Sequence, residues 1–590
     1  MAKEQWDLSV FFKTEEEFLE TLEQFKSLIP TLASYQGQLT DETKLAEFLR
    51  LDKKANLLLV RCYFFASMRS DRNKKDVANA QDLMKVHIAM QSYGSAVSFL
   101  SPELIAIGKD KLTDFLKRNP EFDEYSHQFD SLFLSVDHVL SAREEGLLSA
   151  FSPVTGGIRS LYSQLTTADG KPSKAKLSNG EEVTVTQANW TSLVAHQDKQ
   201  EDRKAIFEAL YSYYEDHKST YGEIYNLTLQ SQVANMRTRG YKSILESHLA
   251  GQAIPLDVFH TLIKTASEGS APLKKYLEIR RKAFGLEKIR SYDRFLQLAK
   301  PKTKYTYDQA RELFYDSIKN FPEDFQEKAR EVTKDGYVDV HPGEGKRSGA
   351  YSNGGYDFHP FILLNFVGEL DDVFTLAHES GHSIHTLYSE EGQPTLRQDY
   401  TIFVAEIAST FNEHNLLDYL LQRGDLDKDD KIFLLQKAID EIVSTFYRQT
   451  LFGHYEYLIA EKAEKGEPIN WQVCSNVMID LYKQYYGIDI SEEKVKPLVW
   501  AYIPHLFNSP FYVYQYATSF TSSMLLYAKV KAQEEGAFER YISLLKSGGS
   551  DFPVAQVKAA GVDLTTPEPY LAVVKRMSEL VDQLEKLLAE

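Results

Sequence analysis

Most of this 590-residue chain carries the apolar periodicity of amphipathic helices. Apolar side chains recur at steps of three and four residues, a spacing that places them on one face of an α-helix. In TEEEFLETLEQFKSL, Thr14 precedes the pattern and Glu17 follows three residues later, as in a capping box. Similar patterns occupy 41–70, 74–100, 110–118, 202–235, 255–284, 307–320, 430–463 and 567–589. We therefore predict a mainly α-helical protein.

The first break in the helical pattern is a polar, turn-rich segment. Within it, Asn179 and Gly180 lie between KAKL and EEVTVT, and this dipeptide between strand-like runs is typical of a β-hairpin. We predict the hairpin near 170–187, at the end of an N-terminal helical domain formed by residues 1–200. Residues 201–590 would then form a second domain.

The second break, at 335–367, combines strand-like and glycine-rich sequence. It contains YVDV, the stretch GEGKRSGAYSNGGYDFHP and the apolar run FILLNFV. A short continuous apolar run predicts a strand, here at 361–366, and so a small β-sheet. Gly349, Gly354 and Gly355 would let the chain turn or approach a neighbour closely, although loop flexibility alone also accounts for them.

Composition argues against several classes of function. The net charge of -18 and the lack of a long Lys/Arg block disfavour a nucleic-acid surface. Solubility accounts for this acidity, and attraction of cationic peptides is the alternative. Two cysteines, Cys62 and Cys474, exclude a disulfide framework. We find no apolar run that could span a membrane and no signal-peptide core near the N-terminus, so we expect a cytoplasmic protein.

Residues 378–382, His-Glu-Ser-Gly-His, form a candidate metal-binding motif. Histidines four residues apart lie one helical turn apart, so both imidazoles can reach one cation at about 2.0–2.1 Å. Glu379 follows the first histidine and could take a proton from a water at that cation. Asp371 and Asp372 could cap the start of the helix. Gly381 weakens a helix interior by roughly 0.5–1 kcal/mol relative to Ala, which indicates that something packs closely against it.

A catalytic zinc also needs a third protein ligand and one open position. One class of zinc enzymes has a histidine six residues after the second ligand and a glycine midway, but Tyr388 and His385 occupy these positions here. Another class uses a glutamate from a following helix, and Glu406 lies 24 residues after His382 within a strong helical pattern. Its neighbours are apolar, where an unpaired carboxylate is costly, although a satisfied carboxylate at a helix edge is the alternative. Glu413, on the same face as Glu406, could orient a ligating imidazole.

Several motifs resemble those of one known family. HESGH followed by EIASTFNE resembles the thimet oligopeptidase-like metallopeptidases, which carry an HExGH helix and a later E-x-x-S-x-x-x-E helix. Within that family the chain is most similar to the bacterial oligoendopeptidase F branch. The further matching segments are RSGAYS at 347–352, HPFILLNF at 359–366 and PFYVYQYATS at 510–519. Together these motifs cover roughly residues 200–580.

The resemblance implies a large α-helical ellipsoid with a deep substrate channel and a small β-sheet near the zinc helix. It implies one Zn2+ ion, short peptide substrates, and a zinc-binding catalytic domain over residues 201–590. By the motif match, the metal ligands are His378, His382 and Glu406. Glu379 is the general base, and Glu413 lies behind the ligands.

The chain must also stabilise the oxyanion of a peptide-hydrolysis intermediate. Tyr512 and Tyr516 are four residues apart and would share a helix face, whereas Tyr514 would point into the core. The resemblance assigns transition-state binding to a histidine and tyrosines of this region, here His505, Tyr512 and Tyr516; an aromatic core stripe is the alternative. We also expect the strand at 361–366 to present a free edge to which an extended peptide could add.

The resulting hypothesis is a zinc-dependent oligoendopeptidase that uses a metal-activated water and a glutamate base. A carboxypeptidase or dipeptidyl carboxypeptidase on the same scaffold is an alternative, because Lys346 or Arg347 could hold a free C-terminal carboxylate. A non-catalytic peptide-binding protein is a second alternative, although the complete set of ligands and base argues against it. We expect no nucleic-acid or membrane partner, and the sequence leaves the oligomeric state open.

Overall fold

The computed structural model describes residues 4–301, 303–356 and 358–590, and these are mainly α-helical, as predicted. The helices are, in chain order, α1 Glu15–Ala33, α2 Glu42–Arg72, α3 Val77–Ala96, α4 Leu100–Ile107, α5 Lys109–Arg118, α6 Ser126–Phe133, α7 Ala142–Ser163, α8 Trp190–Ala195, α9 Gln200–Asp216, α10 Lys218–Arg239, α11 Ile244–Leu249, α12 Leu256–Glu268, α13 Ala271–Ala283, α14 Tyr307–Ser317, α15 Glu323–Val332, α16 Leu370–Gly392, α17 Ile402–Gln422, α18 Lys428–Glu441, α19 Arg448–Glu464, α20 Trp471–Tyr486, α21 Val499–Tyr502, α22 His505–Asn508, α23 Tyr514–Lys531, α24 Ala537–Leu545, α25 Pro553–Ala559 and α26 Glu568–Ala589. The strands are β1 Ser173–Lys176, β2 Glu182–Val185, β3 Val338–Asp339, β4 Tyr351–Gly355 and β5 Phe358–Leu363. None of the helices in the described ranges combines the length and the apolar character that a membrane crossing requires.

The chain forms two compact units, each built from three chain segments. The first unit comprises Met1–Val136, Thr303–Gln422 and Leu526–Gly561, and the second comprises Asp137–Lys302, Arg423–Leu525 and Val562–Glu590. The segment Asp137–Lys302 belongs to the second unit and includes residue 200, where we predict a domain boundary. The division into domains 1–200 and 201–590 stays a prediction.

The predicted β-hairpin lies in the second unit. Strands β1 and β2 pair antiparallel, with Ser173 opposite Val185 and Lys176 opposite Glu182. The turn between them contains Gly180, whose φ of +88° falls in the left-handed region that favours glycine. The hairpin prediction near 170–187 is therefore confirmed.

The small sheet lies in the first unit and has the strand order β3-β5-β4. Strand β3, from YVDV, runs parallel to β5, and the glycine-rich β4 runs antiparallel to it. The apolar run does form a strand, β5, although it begins at Phe358 and ends at Leu363. The prediction that this strand presents a free edge is wrong, because β3 and β4 cover its two sides. The edge belongs instead to β4.

The sheet is held between the N-terminal helices and α16. Phe361 and Leu363 point into the core that α1 and α2 form, and the Phe361 ring stacks on Phe11 with the ring centroids 5.5 Å apart. On the opposite face, the hydroxyls of Ser352 and Ser383 are hydrogen-bonded at 2.8 Å, which ties β4 to α16. The sheet therefore fixes β4 alongside the helix that carries the HESGH motif.

Helix α16 begins with a reciprocal cap and packs tightly on α17. The N-cap residue is Glu369, whose backbone N–H donates to Asp372, so Asp372 helps to cap the helix as predicted. A Cβ atom added to Gly381 would lie 2.6 Å from the carbonyl oxygen of Ala408 and 2.7 Å from Cα of Ser409. The predicted close packing at Gly381 is confirmed, and the partner is the backbone of α17.

Candidate metal centre

The three predicted ligands converge on one point of the first unit. Helix α16 places His378 and His382 one turn apart, and α17 brings Glu406 against them. Nε2 of His378 lies 3.2 Å from Nε2 of His382 and 3.4 Å from Oε2 of Glu406, and the remaining pair of donors is 3.5 Å apart. Among the His, Cys, Asp and Glu side chains of the described ranges, His378, His382 and Glu406 form a group whose donor atoms lie close enough together to bind one ion.

These distances fit a tetrahedral zinc site. Ligands at about 2.0–2.1 Å from a tetrahedral ion are separated from one another by about 3.3–3.4 Å. The three donor–donor separations, 3.2, 3.4 and 3.5 Å, bracket that value. Two imidazole nitrogens and one carboxylate oxygen are also the donor types that zinc binds in catalytic sites, with the fourth position left open.

Glu413 holds the first histidine in the orientation that a ligand needs. Its Oε1 lies 2.5 Å from Nδ1 of His378, so Nδ1 carries the proton and Nε2 keeps its lone pair for the metal. Burial lowers the pKa of His378, but the charge of Glu413 and the hydrogen bond to Glu406 outweigh burial and raise that pKa well above its usual range. A metal would therefore displace a proton from His378 when it binds.

The Glu406 carboxylate is ionised at neutral pH. Burial favours its neutral form, but hydrogen bonds from His378 and His382 outweigh that effect and hold the pKa of Glu406 far below its ordinary value. A deprotonated carboxylate is the form that binds a metal ion. Hydrogen bonds from the two imidazoles of the donor set thus offset the free-energy cost of burying the charged Glu406 carboxylate.

The Glu379 carboxylate is buried next to the donor set without a hydrogen-bond partner for one oxygen. Its side chain is 6% exposed, and no group in the described part of the chain bonds to its Oε2. Burial raises the pKa of Glu379, with further contributions from the charges of Glu406 and Glu413, while the two histidines oppose the rise. A carboxylate whose pKa is raised towards neutrality is suited to accept and return a proton.

A cleft of about 440 Å³ opens over the donor set. Its walls are β4, α16, the start of α17 and the segment before α17. The N–H of Ile362 donates to Tyr337 on the β3 side, so Ile362 and its partner Ser352 form a non-hydrogen-bonded pair. The backbone N–H and C=O of Ser352 consequently point away from β5, towards the outer edge of β4. This edge, and not that of β5, is available to an extended peptide.

Tyr400 also lines the cleft, and our sequence analysis did not identify it. Its ring stacks on His385 with the centroids 3.6 Å apart, and its hydroxyl donates to the carbonyl of His382 at 3.4 Å. The hydroxyl also lies 3.1 Å from Oγ1 of Thr386. Tyr400 therefore buttresses the turn of α16 that carries the second ligand. A single tyrosine before a helix has no distinctive sequence pattern, so only the fold reveals this position.

His505, Tyr512 and Tyr516 lie together in the second unit. The Tyr512 and Tyr516 ring centroids are 5.5 Å apart, and the His505 ring lies 6.0 and 6.4 Å from them. The prediction that both tyrosines share a helix face is wrong, because α23 begins at Tyr514 and Tyr512 precedes it. Burial lowers the pKa of His505. Tyr514 is fully buried and packs edge-on against Phe259, so its predicted place in the core is confirmed.

The two cations considered for an exopeptidase are engaged elsewhere. The ammonium of Lys346 donates to a side-chain oxygen of Asp339 at 2.6 Å, to the Asp339 carbonyl at 3.0 Å and to the His341 carbonyl at 2.6 Å. All three of its protons are used, so Lys346 cannot hold a substrate carboxylate. Arg347 donates to Asp71 at 3.1 Å and lies over the Tyr351 ring.

Comparison with known proteins finds relatives that match the chain over nearly its full length. The chain is 35% identical to oligopeptidase PepF of Bacillus subtilis, over 100% of this chain and 88% of that protein. It is 33% identical to the group B oligopeptidase PepB of Streptococcus agalactiae, over 100% of this chain and 98% of that protein. The crystal structure of oligoendopeptidase F from Enterococcus faecium superposes with a TM-score of 0.75, at 25% identity, over 98% of this chain and 99% of that chain.

A further crystal structure, of a protein from Chlamydophila abortus, gives a TM-score of 0.91 at 30% identity, over 99% of this chain and 98% of that chain. Residues 103–171 match the family model described as Oligopeptidase F, and residues 193–576 match the model described as Peptidase family M3. With relatives of the oligoendopeptidase F group matched over its full length, the chain belongs to Peptidase family M3.

Proposed function

We propose that this protein is a zinc-dependent oligoendopeptidase that hydrolyses internal bonds of short, unstructured peptides. The observation that carries the proposal is the triangle of donor atoms from His378, His382 and Glu406, at the separations that a tetrahedral zinc ion requires. The unpartnered carboxylate of Glu379 beside that triangle supports it. The oligopeptidase names of the full-length relatives support the substrate class.

In this proposal the ion, when bound, supplies a Lewis acid that polarises the scissile carbonyl and lowers the pKa of a water molecule. The chain's own residues then move the proton. The Glu379 carboxylate accepts a proton from the attacking water as the new C–O bond forms. It returns the proton to the amide nitrogen as the C–N bond breaks. Glu413 keeps His378 in one tautomer throughout.

Substrate positioning is assigned to β4. The outward N–H and C=O of Ser352 can pair with the backbone of an extended peptide, which fixes the peptide's register along the cleft. Such pairing recognises backbone and not side chains, so it suits a peptidase of broad sequence range. His505, Tyr512 and Tyr516 stay our predicted donors to the oxyanion, and substitution of each hydroxyl or imidazole tests that role by its effect on kcat.

The proposal is tested with Glu379→Gln. Loss of the base should lower kcat by at least about 100-fold, while zinc remains bound at one equivalent. Glu391→Gln is the matched control, because Glu391 lies on the same helix but pairs with Lys328 at 2.6 Å. Normal turnover by the Glu379→Gln variant would remove that residue from the mechanism, and wild-type protein that binds no zinc would remove the metal.

A quenched fluorescent peptide of about eight residues, blocked at both termini, separates endopeptidase from exopeptidase action. Cleavage of the blocked peptide is the expected result. Cleavage only after the C-terminus is unblocked would instead support the carboxypeptidase or dipeptidyl carboxypeptidase alternative.

A further inference from the structure

A second concavity in the first unit carries a concentration of positive charge. It has a volume of about 560 Å³ and is lined by one face of α2 together with Tyr356, which follows β4, and Phe358 of β5. Four cations of α2 line the pocket, at offsets of three, four and eleven residues from the first, which place them on one side of the helix: Arg50, Lys53, Lys54 and Arg61. The whole chain has a net charge of -18, so this cluster of cations is opposite in sign to the charge of the chain.

Two of these cations are neutralised within the protein and two are not. Arg50 pairs with Glu121 at 2.8 Å, and Lys53 pairs with Glu124 at 2.6 Å. Among the described residues, no carboxylate lies within ion-pair distance of Lys54 or of Arg61. The pocket therefore holds charge that the fold itself does not compensate.

The Arg61 side chain is fixed in place by groups that leave its charge uncompensated. Its Nε donates to the carbonyl of Phe11 at 2.8 Å, and its guanidinium lies 4.8 Å from the centroid of the Phe12 ring and 5.8 Å from that of Phe358. A half-buried guanidinium held by one carbonyl and two rings is already ordered. Little side-chain conformational entropy is therefore lost when an anion binds it. Lys54 is exposed at the rim of the same pocket.

The pocket adjoins the catalytic cleft. The backbone N–H of Tyr356 donates to Gln398 at 3.0 Å, and its hydroxyl donates to Asp399, and both partners line the cleft. Tyr356 thus lines the pocket and is hydrogen-bonded to two residues that line the cleft. It lies four residues after Ser352 and directly follows β4, with a left-handed φ of +58°. A peptide paired with the β4 edge would reach the pocket about four residues from its residue opposite Ser352.

We propose that this pocket binds a carboxylate of the peptide substrate through Arg61 and Lys54. The inference rests on the proposed function, because it takes the β4 edge as the path of the peptide. The carboxylate has two possible sources, the free C-terminus or an Asp or Glu side chain, and both present the planar pair of oxygens that a guanidinium recognises.

The test measures binding, so that it does not depend on turnover. Fluorescent peptides of one length are titrated into zinc-loaded Glu379→Gln protein: one with a free C-terminus, its C-terminal amide, and two amides that carry Glu or Gln at the fourth residue from the centre. We expect the free acid or the Glu peptide to bind about five- to tenfold more tightly than its neutral counterpart. The pair that shows the preference identifies the source of the carboxylate.

Substitution of the two cations should abolish the preference. Lys54→Glu is the primary variant, because the Lys54 side chain is exposed at the rim of the pocket, and Arg61→Gln is the second. The control is Lys44→Gln, which removes an α2 cation that pairs with Glu47 outside the pocket. Equal affinity for all four peptides, or a preference that survives in Lys54→Glu and Arg61→Gln, would overturn the proposal. Failure of the proposed function would look different: wild-type protein would cleave none of the peptides, whatever their charge.

Discussion

Substitution of Gly381 by Ala tests whether the packing of α16 on α17 sets the metal site. The added Cβ would lie 2.6, 2.7 and 2.9 Å from three backbone atoms of Ala408 and Ser409, where ordinary contacts are 3.4–4 Å. Because these atoms are backbone, α17 itself must move away by roughly 0.5–1 Å. Glu406 lies two residues earlier on α17, so its carboxylate moves as well. Metal–ligand distances tolerate only about 0.2 Å.

The expected magnitudes follow from two opposing effects. Replacing Gly by Ala in a helix interior contributes about 1 kcal/mol of stability, whereas overpacking costs about 1–3 kcal/mol. We therefore expect Gly381→Ala to lower the free energy of unfolding by up to about 2 kcal/mol. Displacement of Glu406 should weaken zinc binding by about 10- to 100-fold, comparable to the loss of a group that orients a ligand.

The assay is competition for Zn2+ against a chromophoric chelator, combined with urea unfolding. Gly94→Ala is the matched control, because Gly94 lies in α3 of the same unit and its added Cβ meets no atom within 4 Å. The control should gain up to about 1 kcal/mol and bind zinc normally. If Gly381→Ala were more stable than wild type and bound zinc as tightly, the close contact between the helices would not govern the site.

Two further substitutions test the carboxylates. Glu413→Gln removes the charged acceptor at Nδ1 of His378 and should weaken zinc binding by about 10- to 100-fold in the same competition assay, whereas unchanged affinity would show that Glu413 does not orient the ligand. Burial raises the pKa of Glu456 from 4.5 to about 8. Between these pH values the folded protein keeps a proton on Glu456 that the unfolded chain releases. The free energy of unfolding should therefore fall as pH rises from about 4.5 to about 8. Glu456→Gln keeps an acceptor for the Phe511 N–H, and it should raise the free energy of unfolding by up to a few kcal/mol at pH 9 but not at pH 5; an equal effect at both pH values in urea unfolding would contradict this account.

Local patterns predicted the elements of the fold but not their pairing. The helices and the hairpin depend on short-range spacing, so the sequence alone indicates them. The place of β5 in the middle of its sheet depends on β3, which lies some 20 residues earlier and joins it in parallel. Nothing in the apolar run itself distinguishes a central strand from an edge strand. The composition of each compact unit from three distant segments depends in the same way on tertiary contacts.

The three residues of the candidate metal site could be predicted because helix geometry brings two of them together. The i, i+4 spacing of His378 and His382 needs no tertiary information, and Glu406 needed only the assumption of a second helix. The start of α23 is a contrasting case. Phe511 adopts a left-handed φ of +55° and its N–H donates to Glu456, so the segment before α23 is not helical, and the helix begins only at Tyr514. This contact joins residues 55 positions apart, which short-range spacing cannot show.

Three glutamates around one site show how environment divides the roles of a single residue type. Glu406 faces two imidazoles, so it stays ionised and can serve as a ligand. Glu413 accepts from Nδ1 of His378, so its charge is placed to orient that ring. Glu379 has one buried oxygen without a partner among the described groups, and burial raises its pKa. Because the first two carboxylates are committed to the imidazoles, only the third can change protonation without disturbing the donor set. The least satisfied carboxylate is therefore the one that can serve as the base.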